Sequence, residues 1–249
     1  MKVARNFSAA ALVRRVPAGL AIAGALLATF VGGAAASGDR ARDTAAWPSA
    51  HGASTAPEAS ERIRPLRLDT DEGRFDRGTD NQGWWATRER NRDRNDNYLV
   101  GSPEHFAGIY RNFFTFDLSR KIERVRAAML ILRRYEGLGD ATEVLGLFHV
   151  ATGDRRLNDN QGPPSDRIFR DLGTGTRYGR FTISTSDRGP VRLRLNRAAV
   201  ADINAARGGY FSIGGSLLSI DGDGERLFGF SNGFGTQRLL VKVREPATR

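Results

Sequence analysis

From residue 63 onward, apolar residues recur mostly at every second position, in short runs broken by clusters of Gly, Asn, Asp and Pro. That period belongs to half-buried strands and not to helices. The runs predict strands over residues 63–68, 83–87, 98–101, 110–117, 124–135, 142–151, 178–185, 191–195, 210–217, 226–231 and 238–243. About eleven strands is the number that two packed antiparallel sheets use. The clearest alternation is Val191-Arg192-Leu193-Arg194-Leu195, with the aliphatic side chains facing a core and the arginines facing water. Two segments break the period. Residues 165–171 form one, and 196–206 form the other, where Asn196 caps a short helix carrying Ala198, Val200, Ile203 and Ala206 before Gly208-Gly209. Both are expected as crossovers at sheet edges. The fold class expected is therefore all-β: an antiparallel, jelly-roll-like β-sandwich with one or two short helices. No segment repeats with a period of 20 to 50 residues, which argues against a propeller or solenoid.

The beginning of the chain follows another rule. Residues 1–36 carry Lys2, Arg5, Arg14 and Arg15 without an acid, run apolar over 18–31, and end in Ala34-Ala35-Ala36. This is the order of a secretory signal with an A-x-A cleavage site. A signal-anchor is the competing reading, since the apolar run approaches the roughly 20 residues that span a bilayer. Its Gly and Ala content and the terminal A-x-A favour cleavage, with Ser37 as the mature terminus. Arg14-Arg15 is followed by Val16-Pro17, a poor fit to a twin-arginine signal. Residues 37–62, rich in Ala, Ser, Gly, Pro and charge with Trp47 isolated, read as a flexible linker. Residues 63–249 are then a single β-sandwich domain. The expected location is secreted, extracellular or periplasmic, with no membrane span after signal cleavage.

Charge and cysteine content narrow the partners. The chain has no cysteine, so an exported domain would be held by its core, its hydrogen bonds or a metal. Lys and Arg total 38 against 28 Asp and Glu, a net charge of +10 that falls when the leader is removed. The arginines are interleaved with acids, as in Arg88-Glu89-Arg90-Asn91-Arg92-Asp93-Arg94, which reads as a mixed-charge surface more than a track for phosphates. Nucleic acid is not an expected partner. Acidic polysaccharide and lipid head groups stay open.

Few residues offer catalytic chemistry. The three histidines, His51, His105 and His149, share no metal-ligand spacing, and His149 sits in an apolar strand where a packed histidine is the simpler reading. A carboxylate pair for glycoside cleavage stays open, because sequence does not give their separation. Residues 76–97 are dense in Asp and Asn, and two readings fit them. One is a polar loop folded on Asx turns; the other is a structural calcium site with Asp80, Asn81, Asp93 and Asp96 as ligands. Asp221-Gly222-Asp223-Gly224-Glu225 starts like a calcium loop but lacks the remaining ligands, and a glycine-rich turn fits it better. Trp84 and Trp85 are neighbours in a strand and so point to opposite faces. One indole is expected in the core and the other at solvent or under a loop, where it would stack on a sugar. Trp84, Trp85, Tyr98 and Arg111 are the candidate ligand-binding residues.

The segment Arg111-Asn112-Phe113-Phe114-Thr115-Phe116-Asp117-Leu118-Ser119, followed by Ile122 to Leu132, resembles the signature of DNRLRE-type jelly-roll domains. Gly83-Trp84-Trp85, Asn97 to Gly101, Asp171-Leu172-Gly173-Thr174-Gly175 and Gly208 to Gly215 are similar to a group of uncharacterised exported bacterial proteins that often end in a PEP-CTERM sorting tail. That tail has no counterpart in this sequence. The resemblance implies a jelly-roll fold and export, and, since some members of the broader family look like carbohydrate-binding modules, a glycan ligand. The leading expectation is a non-catalytic module that binds extracellular polysaccharide or a cell-envelope surface. The alternatives are a structural or matrix protein acting through protein contacts or self-association, and a carbohydrate-active enzyme.

Overall fold

The computed structural model describes residues 63–70, 81–91, 97–104, 108–134, 137–159, 162–229 and 237–244. All belong to the unit Thr55–Arg249; the leader and the linker expected from the sequence lie outside them. The strands are β1 (Ile63–Asp69), β2 (Gln82–Ala86), β3 (Val100–Gly101), β4 (Tyr110–Asp117), β5 (Val125–Arg134), β6 (Gly137–Leu138), β7 (Thr142–His149), β8 (Arg177–Ser184), β9 (Gly189–Arg194), β10 (Tyr210–Leu217), β11 (Arg226–Leu227) and β12 (Arg238–Arg244). The helices are α1 (Asp154–Asn158), α2 (Asp166–Thr174) and α3 (Arg197–Ala205). Every strand pairing is antiparallel among the described residues.

Two sheets result, as an all-β sandwich requires. Sheet A has the order β1-β12-β5-β9, and sheet B the order β6-β11-β3-β4-β10-β7-β8 with β2 added on β4. Their facing sides form one core: Ala128, Leu130, Leu132, Leu193, Leu239, Val241 and Val243 from sheet A meet Phe114, Phe116, Leu145, Leu147, Tyr178, Phe211 and Ile213 from sheet B. Fully burying one such side chain stabilises by roughly 1.5–3 kcal/mol, so this layer is the main source of stability.

The sheets differ on their outer sides. Sheet A alternates as the sequence predicts, with Arg192 and Arg194 of β9 exposed and Leu193 buried. On sheet B the outward Trp85 of β2 and Phe113 of β4 are buried beneath Leu157 of α1 and Ile168 and Leu172 of α2, in a second, smaller core. Helix α2 is capped at its start by the Ser165 hydroxyl, which accepts the Ile168 N–H at 3.4 Å. It lies directly on β10 because Gly214 has no side chain there; an added Cβ would sit 2.6 Å from the Leu172 carbonyl oxygen. This corrects one expectation: α2 covers a sheet face instead of crossing at an edge. The reason is that Trp85 of β2 and Phe113 of β4 point outward and need a cover. Among the described residues there are three short helices. Helix α3 behaves as expected: the Asn196 side chain accepts the Ala199 N–H at 3.1 Å, and Ala199 and Ile203 enter the main core between the sheets.

Candidate functional site

Four residues were expected to meet a ligand, and the structure gives them structural work. Trp84 is 8% exposed and Trp85 2%. Their indoles do point to opposite faces, since Trp84 packs with Ala86, Leu99 and Tyr110 while Trp85 joins the layer beneath α1 and α2. Of the two places expected for the second indole, solvent or beneath a cover, the structure shows the cover, because both faces of sheet B are covered at β2. Trp85 also donates its Nε1–H to the Leu157 carbonyl at 2.9 Å, tying β2 to α1. Tyr98 is 1% exposed and donates its hydroxyl to the Arg133 carbonyl on β5 at 2.7 Å, a link from one sheet to the other.

Arg111 reaches α2 and not solvent. Its Nη1 donates to the carbonyls of Phe169 at 2.9 Å and Arg170 at 3.3 Å, its Nε donates to the Ser216 hydroxyl at 3.2 Å, and the guanidinium lies 4.3 Å from the centre of the Phe169 ring. These carbonyls lie in the middle of α2, so the part-buried guanidinium ties β4 to the helix that covers it. Burial lowers the pKa of Arg111 from its ordinary value.

Of the expected calcium ligands, Asp80, Asp93 and Asp96 lie outside the described residues. Asn81 is buried, its backbone carbonyl accepts the Thr115 N–H at 2.7 Å, and its side-chain Nδ2 has no hydrogen-bond partner among the described residues. Among the described residues no three His, Asp or Glu side chains are gathered to hold a metal.

A cleft of about 290 Å³ opens elsewhere, where α3 meets the end of β7 and the start of β10. His149, Thr152, Asp154, Asp202, Tyr210 and Ser212 line it. Two of these residues meet on a tyrosine outside the lining: the Tyr178 hydroxyl donates to Asp202 Oδ2 at 2.7 Å and lies 2.9 Å from His149 Nδ1, which is itself 3.4 Å from the same carboxylate oxygen. With its own proton on Asp202, the hydroxyl accepts from Nδ1–H, which leaves Nε2 of His149 without a partner among the described residues. Tyr178 is fully buried, whereas the side chains of His149 and Asp202 are 41% and 37% exposed. Burial, then the hydrogen bond and charge of Asp202, push the Tyr178 pKa well above that of an ordinary phenol, so it stays protonated and acts as a brace.

The walls are fixed by hydrogen bonds. Asp171 of α2 accepts the N–H of Ala151 at 3.2 Å and both the N–H and hydroxyl of Thr152 at 2.7 and 2.6 Å, which sets the chain that follows β7. Gly175 packs against the His149 carbonyl, where any side chain would collide. The Ser212 and Thr115 hydroxyls lie 2.8 Å apart, and Thr115 accepts from Asn158 Nδ2 at 3.2 Å.

Sequence reasoning placed His149 in the core and did not single out Tyr178, Asp202 or Tyr210. One signal was available: Asp202 falls three and four residues from Ala199, Ala198 and Ala206, inside the apolar stripe of α3. An acid in such a stripe needs a buried partner. No protein-family model and no curated protein matches this chain.

Proposed function

We propose that this chain is an exported, non-catalytic β-sandwich that binds extracellular polysaccharide in the cleft between α3, β7 and β10. The observation that carries the reading is the pairing of half-exposed His149 and Asp202 on one buried phenol. Neighbouring sugar hydroxyls each donate and accept. A carboxylate that accepts beside an imidazole whose second nitrogen is open suits two adjacent hydroxyls. The Thr152 and Ser212 hydroxyls add further partners, and the half-buried Tyr210 ring offers an apolar surface for a sugar face. The volume is at the small end of the roughly 300–1,000 Å³ of ligand pockets and suits one or two sugar units of a longer chain. Tyr178, enclosed and kept protonated, supports binding over base catalysis. Kinship with DNRLRE-type jelly rolls and export behind a leader cleaved before Ser37 belong to the same proposal, supported by the motifs in residues 83–215 and the order of residues 1–36.

A glycan array and polysaccharide pull-down with the full chain tests it. Saturable binding is expected, weakened about 10- to 100-fold by Asp202→Asn, the loss of one charge-assisted hydrogen bond. Tyr210→Ala should also weaken it, with the melting temperature of both variants nearly unchanged. An absence of glycan binding together with concentration-dependent self-association would overturn the reading in favour of a structural role. Sequencing the terminus of protein recovered outside the cytoplasm should give Ser37 first.

A further inference from the structure

The side chains that alternate outward on sheet A form a cationic face. Arg67 of β1, Arg192 and Arg194 of β9, and Arg238, Lys242 and Arg244 of β12 are all exposed. The register sets them in rows. Arg67 lies opposite Leu240, Leu240 opposite Met129, and Met129 opposite Arg194; in the next row Arg238 lies opposite Ile131, and Ile131 opposite Arg192. The first row has half-buried Leu240 and Met129 between cations at both rims, and the second runs from Asp69 through Arg238 and half-buried Ile131 to Arg192. The only acid in the four strands is Asp69, which Arg67 holds at 2.9 Å with Arg238 at 3.8 Å. Arg192, Arg194 and Lys242 make no ion pair among the described residues.

We infer that this outer face of sheet A docks on an anionic phospholipid leaflet. The cations spread in two dimensions, roughly 14 Å across the strands and roughly 13 Å along β12 from Arg238 to Lys242. A surface of head groups meets such a patch more fully than a single polymer strand does. Guanidinium forks bind phosphate oxygens in pairs, and long cationic side chains reach outward while their stems cover apolar surface. Leu240, Met129 and Ile131 then face the head-group boundary. The strands of this sheet contain no Trp, Tyr or Phe, the side chains that stack on sugars or on unpaired bases. No described helix is long and apolar enough to cross a membrane. The inference does not rest on the glycan reading, which concerns the cleft.

The test is co-sedimentation of the full chain with vesicles of equimolar phosphatidylglycerol and phosphatidylcholine, and with phosphatidylcholine alone. Binding to the anionic vesicles only is expected, with release at an ionic strength of about 1 M, where the Debye length is about 3 Å. Each cation at such a surface contributes about fivefold, so Arg192→Glu with Arg194→Glu should lower binding by about 25-fold or more. Arg192→Gln with Arg194→Gln, the milder pair, should lower it about 25-fold and serves if the reversed pair fails to fold. Asp202→Asn should leave vesicle binding intact, which separates this face from the cleft. Vesicle binding that is unchanged in either arginine pair would overturn the inference. So would tighter binding, through the same arginines, to polygalacturonate or to double-stranded DNA.

Discussion

The outer faces of the two sheets are built from similar strands and meet opposite fates. On sheet B, α1 and α2 cover the outward residues, and β2 is buried at every position. On sheet A the outward residues stay exposed, and β12 alternates between buried Leu239, Val241 and Val243 and exposed Arg238, Lys242 and Arg244. The difference lies in the outward residues themselves. Trp85 and Phe113 are too apolar to leave in water, whereas arginines at the matching positions of sheet A need no cover. A covering layer brings polar backbone with it, and Arg111 donates to the Phe169 and Arg170 carbonyls of α2. One face thus adds stability and the other keeps its charge available for a partner.

The sharpest way to break this contrast is to truncate one outward residue on each sheet. Trp85→Ala removes an indole from the covered layer and strands the Leu157 carbonyl. It should cost about 3–5 kcal/mol and lower the melting temperature by about 10 °C. Arg192→Ala on sheet A should change stability by less than about 0.5 kcal/mol. Equal losses in a thermal melt would show that sheet A also carries an essential cover.

A smaller effect distinguishes charge from fork geometry beneath α2. Arg111→Lys keeps the cation but not the planar set of donors that spans Phe169, Arg170 and Ser216. It should destabilise by roughly 2 kcal/mol in denaturant titration, the worth of hydrogen bonds from a charged group. A Lys variant as stable as the parent would mean that charge alone anchors the helix.

How legible each face was follows from the same contrast. The period of two located the strands, and on sheet A it also gave the sidedness, because Val191-Arg192-Leu193-Arg194-Leu195 alternates. On β4 the run Phe113-Phe114 gives no sidedness, and α2 was expected at an edge because nothing local says which apolar residue it covers. Asn196 marked the start of α3 through its cap, which is local chemistry. The cleft depends on contacts between residues far apart, His149 with Tyr178 and Asp202, and only the acid in the apolar stripe of α3 hinted at it. Trp84 and Trp85 were rightly assigned to opposite faces. Their burial comes from tertiary layers that a two-residue rule does not contain.

Sheet B also buries acids, where sheet A exposes cations. Glu143 and Glu225 are both buried at one end of sheet B; the Ser219 hydroxyl donates to Glu143, and the Asp221 N–H donates to Glu225 at 3.0 Å. Burial, then the side chain of Asp221 and the charge of Glu143, raise the Glu225 pKa from its ordinary value. A carboxyl group with a raised folded pKa favours folding below its ordinary value and disfavours it as pH rises through the folded one. Glu225→Gln keeps an acceptor for the Asp221 N–H and removes the charge. It should raise the melting temperature at about pH 8 and confer no gain at about pH 3, below the ordinary carboxylate range. A gain of the same size at both values would trace the effect to packing.

The smallest change in stability should accompany the most informative change in binding. Asp69 is the single acid on the strands of sheet A, and its pair with Arg67 is solvent-exposed on both sides. Such pairs contribute about 0–1 kcal/mol, so Asp69→Asn should alter the melting temperature by little more than its error. The same substitution removes the one negative charge that offsets Arg67 and Arg238. Affinity for phosphatidylglycerol vesicles should rise about fivefold, with a steeper dependence on salt. At the covered strands β2 and β4 the outward Trp85 and Phe113 are already committed to α1 and α2. If Asp69→Asn leaves vesicle affinity unchanged while the arginine pairs abolish it, contact is confined to the β9 edge of sheet A. If it raises affinity as expected, the patch acts as one surface from β1 to β9.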